Sequence, residues 1–285
     1  MERLGLGTVR FGQSYGISNR RGRVPDTHIA QILIRAAKAG VGWLDTAAAY
    51  GNAEATLGTL QKYARLFRIA TKTMSPKDNI AGVLSRARLS IETLQRKPVD
   101  LLLVHAAGDL LGPDGPALWD ELLSLRDEGL FRAIGISAYP ADDPVTLARR
   151  FRPAAMQFPV SLLDQRLLID GTLARLKDMG VQIHARSLFL QGLLFLAPNE
   201  LPPSLAAVAP HLDAVCARVA RAGATPLSAA LGFVLSQPEI DVALVGVTSV
   251  GELDEILSGA ATPVPEIDWS ACALQDSRIL TPSQW

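Results

Sequence analysis

Four residues whose side chains could transfer protons lie at the ends of short apolar runs or just after one. The runs GWLDT, RIATK and VDLLLVH end in Asp45, Lys72 and His105, and Tyr50 follows the first run in AAAYG. If these runs are neighbouring parallel strands, their ends lie roughly 5 to 10 Å apart. A carboxylate, an ammonium, a phenol and an imidazole could therefore converge at one site.

Each of the four residues, taken alone, also has a structural explanation. Asp45 could cap a turn, and Lys72 could extend from a rim into solvent. His105 and Tyr50 could simply pack in a core. Their occurrence in one order on successive apolar runs favours a common site.

Short apolar runs alternate with stretches of helical periodicity along the chain, which is typical of a parallel sheet. The predicted strands are 4–9, 42–46, 68–72, 99–105, 131–137, 154–158, 181–187 and 241–247. The predicted helices are 25–39, 53–64, 78–95, 116–129, 143–150, 166–180, 225–236 and 250–258. Because no GxGxxG follows the first strand, a closed barrel is favoured over an open dinucleotide-binding sheet. We expect an α/β protein with a single (β/α)8 TIM barrel spanning 1–285, including a helical insertion at 197–224 and a C-terminal tail at 259–285.

Composition excludes several classes of protein. The 285 residues are 48% hydrophobic and 20% charged, which excludes a disordered chain, and 28 basic residues balance 28 acidic ones, which argues against nucleic acid as a partner. Cys216 and Cys272 form no Cys-x-x-Cys, and the four histidines share no metal-ligand spacing, so no metal site is expected. The sequence has neither an apolar run of about 18 residues nor a secretory pattern at its start. We expect a cytoplasmic protein with no membrane partner.

At the four site residues the sequence resembles the aldo-keto reductases. LDTAAAYGNAE, TK and LLLVH carry Asp45, Tyr50, Lys72 and His105 in the family's order, and the resemblance extends over essentially the whole chain. It implies reversible hydride transfer between a nicotinamide cofactor and the carbonyl or alcohol carbon of a small aldehyde, ketone or sugar. Tyr50 would then donate a proton in reduction and accept it in oxidation, while His105 would align the carbonyl oxygen. A phenol has an ordinary pKa of about 10, so Lys72 would assist Tyr50 by stabilising the phenolate, and Asp45 would keep Lys72 charged.

Further matching segments imply where the cofactor would bind. AMQFPVSLLDQR and GISAY would bring side chains to the carboxamide, RSLFLQGLL would lie along the pyrophosphate, and 246–256 would lie beside the adenosine. The start of the helix after Val250 is a natural anion site. The implied cofactor-binding residues are Ser137, Gln157, Arg186, Ser187, Leu188, Gly192, Gly246, Thr248, Ser249, Glu252 and Glu255.

The chain departs from the family pattern in three places. Ala138 stands where the family usually has Asn, and Arg186 stands where an aromatic ring commonly stacks on the nicotinamide. No Arg or Lys occurs from Ala222 to Ser277, so the cation that usually holds a 2′-phosphate is missing. We expect the cofactor to be NADP or NAD, since the resemblance favours NADP and this gap weakens the preference.

Two other functions stay open. The protein could be a non-enzymatic accessory subunit that binds the cofactor, or a lyase that forms a Schiff base on Lys72. We expect the partner to be a small carbonyl compound or sugar, bound in a pocket shaped by the loop 10–23 and by Trp269 and Trp285. The expected assembly is a monomer or a small homo-oligomer.

Overall fold

Eight parallel strands form a closed barrel in the computed structural model, which describes residues 1–16, 22–76, 79–282 and 285. The strands are β1 (Leu4–Gly7), β2 (Trp43–Asp45), β3 (Arg68–Lys72), β4 (Leu101–Val104), β5 (Ile134–Ser137), β6 (Ala155–Pro159), β7 (Gln182–Arg186) and β8 (Val242–Gly246). Each strand pairs with its neighbours in sequence, and β8 closes the barrel by pairing with β1. The predicted (β/α)8 barrel is confirmed.

Helices surround the barrel and connect its strands. They are α1 (Val9–Gly12), α2 (Asp26–Lys38), α3 (Ala53–Thr59), α4 (Gln61–Ala64), α5 (Ile80–Thr93), α6 (Gly108–Leu111), α7 (Gly115–Asp127), α8 (Pro144–Phe151), α9 (Arg166–Ile169), α10 (Thr172–Asp178), α11 (Ala209–Arg221), α12 (Pro226–Ser236) and α13 (Val250–Ala261). Short 3-10 helices lie at Pro140–Asp142, Leu190–Phe195, Pro198–Glu200, Pro203–Val208 and Ser270–Cys272.

The helix boundaries differ from the sequence prediction in several places. The predicted helices 53–64 and 166–180 are each divided in two, and the second is interrupted at Gly171, whose φ of 72° is left-handed. The single turns α1 and α6 were not predicted. The helix predicted from 78 begins at Ile80, and its expected start lies outside the described residues. α13 continues to Ala261, so the expected tail from 259 begins inside a helix.

In the described ranges, no single helix is long and apolar enough to cross a membrane. Pro203–Arg221 and Pro226–Ser236 reach the required length and hydropathy only as a pair, and they are bent by 84° relative to each other.

The inside of the barrel is closed by an apolar layer of side chains that point away from the helices. Its residues are Trp43, Ala70, Leu101, Leu103, Ala155, Val242 and Leu244. Glycine makes room for the larger of them: a Cβ on Gly5 would lie 2.7 Å from a Leu244 methyl, and one on Gly135 would lie 2.7 Å from a Leu103 methyl. Since side chains alternate between the two faces of a strand, the next inward position on each strand lies one layer higher, at the carboxyl end.

Candidate active site

The predicted site residues occupy that higher layer. Asp45 comes two residues after Trp43 in β2, and Lys72 comes two residues after Ala70 in β3. The same period of two places Ser137, Arg186 and Gly246 at the carboxyl ends of β5, β7 and β8. His105 follows β4 directly, and Gln157 lies within β6. Tyr50 lies in the loop between β2 and α3. One face of the barrel therefore collects residues that are up to 200 positions apart in the sequence.

Lys72 and Asp45 form a buried ion pair at the centre of this layer. The Lys72 Nζ lies 2.6 Å from Asp45 Oδ2, and their side chains are 1% and 7% exposed. Lys72 also donates to the Thr46 carbonyl at 2.9 Å, and Gln157 Nε2 donates to Asp45 Oδ1 at 2.7 Å. Burial alone would lower the pKa of Lys72, but the negative charges of Asp45 and of an ionised Tyr50 outweigh it and raise that pKa. Lys72 is therefore a fixed cation.

Tyr50 and His105 lie directly over this pair. The Lys72 Nζ is 4.9 Å from the centre of the Tyr50 ring, and the Tyr50 and His105 rings meet edge to face at 5.9 Å. Burial, and then the positive charge of Lys72, lower the pKa of His105 to about 4. His105 is consequently a neutral imidazole near pH 7, able to donate one hydrogen bond without adding charge.

A cavity of about 1020 Å³ opens above these side chains. Most of the predicted residues line it: Asp45, Tyr50, His105, Ser137, Gln157, Arg186, Ser187, Leu188, Gly192, Gly246, Thr248, Glu252 and Glu255. Lys72 and Ser249 do not line it, because Lys72 lies beneath Tyr50 and Ser249 caps α13. A cavity of this size is at the upper end of the range that holds one drug-sized ligand.

The residues that line the cavity include part of the loop 10–23, as expected, but not the two tryptophans. Of the loop 10–23, Arg10, Gln13 and Tyr15 line the cavity, whereas 17–21 lie outside the described residues. Neither Trp269 nor Trp285 is among the described lining residues; Trp269 packs against the α12 ring of Phe233, and Trp285 donates to a carbonyl of the tail. The expectation that these two tryptophans shape the pocket is wrong.

Arg186 presents an unneutralised cation to the cavity. Its guanidinium lies 4.5 Å from the centre of the Tyr139 ring, in a cation–π contact. Its Nε is buried without a hydrogen-bond partner, and no carboxylate among the described residues forms an ion pair with it. Because His105 is neutral and Lys72 is paired, Arg186 carries the net charge near the reactive corner.

A tight turn follows Arg186. The backbone has left-handed φ values at Ser187 (60°), Leu190 (46°), Gln191 (54°) and Gly192 (94°). Non-glycine residues adopt this region only where the surroundings enforce it, and such residues cluster at ligand sites. The turn brings the segment 187–192 over the edge of the cavity.

Hydrogen bonds among neighbouring residues already cap the start of α13. Thr248 donates to Glu252 from its backbone N–H at 2.7 Å and from its hydroxyl at 2.6 Å, and Ser249 Oγ accepts from the Glu252 N–H at 3.1 Å. This is a capping arrangement, in which a carboxylate one turn into the helix satisfies a free N–H. Glu252 is therefore a structural cap as well as a cavity residue.

Two arginines near this helix were missed by the sequence reasoning. Arg10 lines the cavity, and burial lowers its pKa while the nearby charge of Glu252 raises it. Arg35 of α2 lies 2.7 Å from Asp254. Both come from elements more than 200 positions away, so the stretch 222–277 lacks basic residues in sequence but not in space. No local signal in the sequence could have found them.

The described residues contain no group of three or more His, Cys, Asp or Glu side chains that could hold a metal ion. The arrangement places the Tyr50 phenol over the fixed Lys72 cation, a neighbour that favours release of a phenol proton.

Comparison with known proteins agrees with this geometry. Residues 3–274 match the Aldo/keto reductase family, and the chain belongs to that family.

Individual relatives are distant. An aldo-keto reductase of Mycolicibacterium smegmatis is 31% identical over 154 residues, which are 52% of this chain and only 54% of that protein. The L-galactose dehydrogenase of Arabidopsis thaliana is 28% identical over 275 residues, covering 88% of this chain and 83% of that one. The solved holo form of the aldo-keto reductase AKR11C1 from Bacillus halodurans has a TM-score of 0.74 and 21% identity, with 92% and 88% of the two chains covered. At that identity, the structural likeness shows a shared fold.

Proposed function

We propose that this protein is an oxidoreductase that transfers a hydride between NAD(P)(H) and the carbonyl or alcohol carbon of a small aldehyde, ketone or sugar. The observation that carries this proposal is the buried Lys72–Asp45 pair beneath Tyr50, with a neutral His105 beside it. Membership of the aldo/keto reductase family supports the same class of reaction.

The roles follow from charge and position. A carbonyl that accepts a hydride develops negative charge on its oxygen, and Tyr50 supplies the proton that neutralises it. The Lys72 cation stabilises the phenolate that remains, and Asp45 keeps Lys72 charged and in place. The neutral imidazole of His105 donates a hydrogen bond to the same oxygen. In oxidation each proton moves in the opposite direction.

The residues of the cavity fit a nicotinamide dinucleotide. Gln157 Oε1 is buried without a partner because its amide nitrogen is bound to Asp45, and it can accept a hydrogen bond from a carboxamide beside Ser137. A Cβ on Gly246 would meet nothing within 4 Å, so the strand end is open to a close approach. When bound, the dinucleotide would donate the hydride in reduction and accept it in oxidation. We place it over Arg186, Ser187, Leu188, Gly192, Gly246, Thr248, Ser249, Glu252 and Glu255.

One relative and the residues of the cavity wall favour a sugar as the substrate. The match to an L-galactose dehydrogenase over 88% of this chain favours a sugar among the carbonyl compounds considered. Gln13, Tyr15 and Tyr139 add polar and aromatic groups to the wall, which suit a hydroxylated substrate. A cytoplasmic monomer or small homo-oligomer remains part of the proposal.

The lyase alternative is disfavoured by Lys72 itself. A Schiff base requires a neutral amine, whereas this ammonium is paired and its pKa is raised. Borohydride treatment in the presence of an aldehyde should therefore leave no adduct on Lys72.

Steady-state assays test the proposal. The purified protein is mixed with NADH or NADPH and a panel of aldehydes, and with NAD or NADP and a panel of aldoses, while the absorbance of the reduced nicotinamide is followed. We expect turnover in at least one direction, dependent on Tyr50. Cofactor binding measured by calorimetry, combined with no turnover on any substrate, would support the accessory-subunit alternative and contradict the proposal.

A further inference from the structure

Outside the cavity, a second buried carboxylate lies close to the reactive tyrosine. Glu54 is in α3, four residues after Tyr50, and its side chain is 2% exposed. Its Oε1 accepts from Thr71 Oγ1 at 2.6 Å, and its Oε2 accepts from Arg86 Nη2 at 2.6 Å and from Ser90 Oγ at 3.2 Å. Every oxygen of this carboxylate is therefore satisfied, as a buried charge requires.

The partners of Glu54 connect the two elements that carry the reactive pair. Thr71 is the residue before Lys72 in β3, so Glu54 ties α3 to the strand that holds the ammonium. Arg86 of α5 also reaches the Ala48 carbonyl at 3.4 Å, in the loop that leads to Tyr50. The Ala48 N–H in turn donates to the Lys72 carbonyl at 3.2 Å. The network thus joins the Tyr50 loop to Lys72 through side chains and backbone.

The opposite side of the same loop is held by a close backbone contact. A Cβ on Gly12 would lie 1.7 Å from the Tyr50 carbonyl oxygen, and Gly51 has a left-handed φ of 54° with its own Cβ position 2.6 Å from the Gly12 carbonyl. α1 therefore packs against one side of the loop, and the Glu54 network braces the other.

We propose that Glu54 and Arg86 are positioning residues that hold Tyr50 at the distance from Lys72 that proton transfer requires. This inference rests on the proposed function. Neither residue lines the cavity, so neither can contact substrate or cofactor. Misplacing a reacting group by about 1 Å can lower a rate a hundredfold, and a braced loop prevents that displacement. The charge of Glu54 matters because it fixes Arg86, whose guanidinium also donates to the Ala48 carbonyl.

Glu54→Gln is the main test, because it keeps the side-chain shape and removes the charge that holds Arg86. We expect kcat to fall between about tenfold and a hundredfold, with KM and the cofactor dissociation constant changed less than twofold. Arg86→Met should have a similar effect, and Arg86→Lys, which retains the charge, should restore part of the loss.

The matched control is Arg96→Met. Arg96 pairs with Asp100 at 2.8 Å, the two side chains are 18% and 11% exposed, and Asp100 accepts from the Ile69 N–H at the opposite end of the same strand. This variant removes a comparable buried pair far from the Tyr50 loop. We expect it to lower the melting temperature and leave kcat unchanged.

A structural readout separates failure of this inference from failure of the proposed function. The distance from Tyr50 Oη to Lys72 Nζ is compared between crystal structures of the wild type and of each folded variant. We expect Glu54→Gln to change that distance, whether or not a substrate has been found. If Glu54→Gln does not fold, Thr71→Val removes one bond of the network and should give a smaller change in the same direction. An unchanged kcat and distance in a folded variant, or an equal loss of kcat in Arg96→Met, would overturn the inference.

Discussion

Asp45→Asn offers the sharpest test of the buried pair, because it changes charge while nearly preserving shape. The new amide oxygen can still accept from Lys72, and Gln157 can rotate so that its unpartnered Oε1 accepts from the new N–H. The substitution therefore leaves a buried ammonium without a carboxylate, in a geometry that has hardly changed.

The magnitude follows from the burial of the pair. The two charges are 2.6 Å apart and almost fully shielded from solvent. Removing one partner of such a pair costs about 3 to 5 kcal/mol of folding free energy, because the remaining charge is uncompensated. For a chain of this size the melting temperature should fall by about 10 °C.

The pH dependence distinguishes this loss from ordinary packing damage. In the wild type the pKa of Lys72 is raised, so the stabilisation is fully present below the ordinary lysine pKa of about 10.4 and is lost as the pH rises through the folded value. In the variant, the largest influence that opposes burial is gone, so we expect burial to lower that pKa. The unfolded chain then binds the extra proton, and the variant gains stability as the pH rises towards about 10.4.

Denaturant unfolding of both proteins between about pH 7 and pH 9.5 measures the effect. The gap between them should narrow as the pH rises, and kcat of the variant should fall strongly. Adding Lys72→Met to Asp45→Asn should recover stability, since it removes the uncompensated charge, and should lower activity no further than the worse single change. A gap below about 1 kcal/mol that stays constant with pH, or fully additive activity losses, would refute the reasoning.

Four further predictions concern single side chains. Tyr50→Phe should bind cofactor normally and lose orders of magnitude in turnover, and a variant that kept more than about a tenth of the activity would exclude Tyr50 as the proton donor. Burial lowers the pKa of His184 to about 4, so the native state stays neutral while the unfolded chain is protonated. Unfolding should show stability falling from about pH 6.5 to pH 4, with up to about 3 kcal/mol of the fall due to His184 and a further part due to His105, and the fall should be smaller in His184→Leu. An equal fall in His184→Leu would contradict this assignment. The specificity constant for NADH should equal or exceed that for NADPH. A preference for NADPH above about a hundredfold, or roughly 2.7 kcal/mol, would contradict this expectation. Such a preference would implicate Arg10, and Arg10→Met should then abolish the preference. Arg186→Met should raise the affinity for the oxidised cofactor, whose nicotinamide ring is positively charged, by about tenfold relative to the reduced cofactor, as measured by calorimetry. An unchanged ratio would show that this cation does not act on the nicotinamide.

The barrel could be predicted because its signal is local. Each strand is a short apolar run, and each helix has its own period, so eight repetitions of one pattern are visible without any long-range information. The site residues could be predicted for the same reason, since polar groups such as Asp45 and Lys72 interrupt apolar runs at the point where a strand ends. Helix ends were less predictable: the break at Gly171 depends on a backbone conformation that the helical pattern does not reveal.

Interactions between distant segments could not be predicted. Nothing in the sequence near residue 252 indicates that Arg10 lies close to Glu252. Likewise, nothing near Gln157 indicates that its side-chain amide donates a hydrogen bond to Asp45. Glu54 occupies an ordinary helical position in the sequence, and only the fold reveals that it is buried against Thr71. These contacts depend on how strands and helices are brought together in three dimensions.

The two layers of the barrel interior separate the demands of folding from those of chemistry. Gly5 and Gly135 in the lower layer have no space for a Cβ, so substitutions there should be eliminated by misfolding before activity is tested. Gly246 and Ser137 in the upper layer face the open cavity, and variants there should fold with altered preference for a ligand. A library confined to Gly246 and Ser137 should therefore contain mostly folded proteins, and evolutionary drift in substrate use could proceed at these two positions with little loss of stability, unlike at the buried Asp45–Lys72 pair of the same layer.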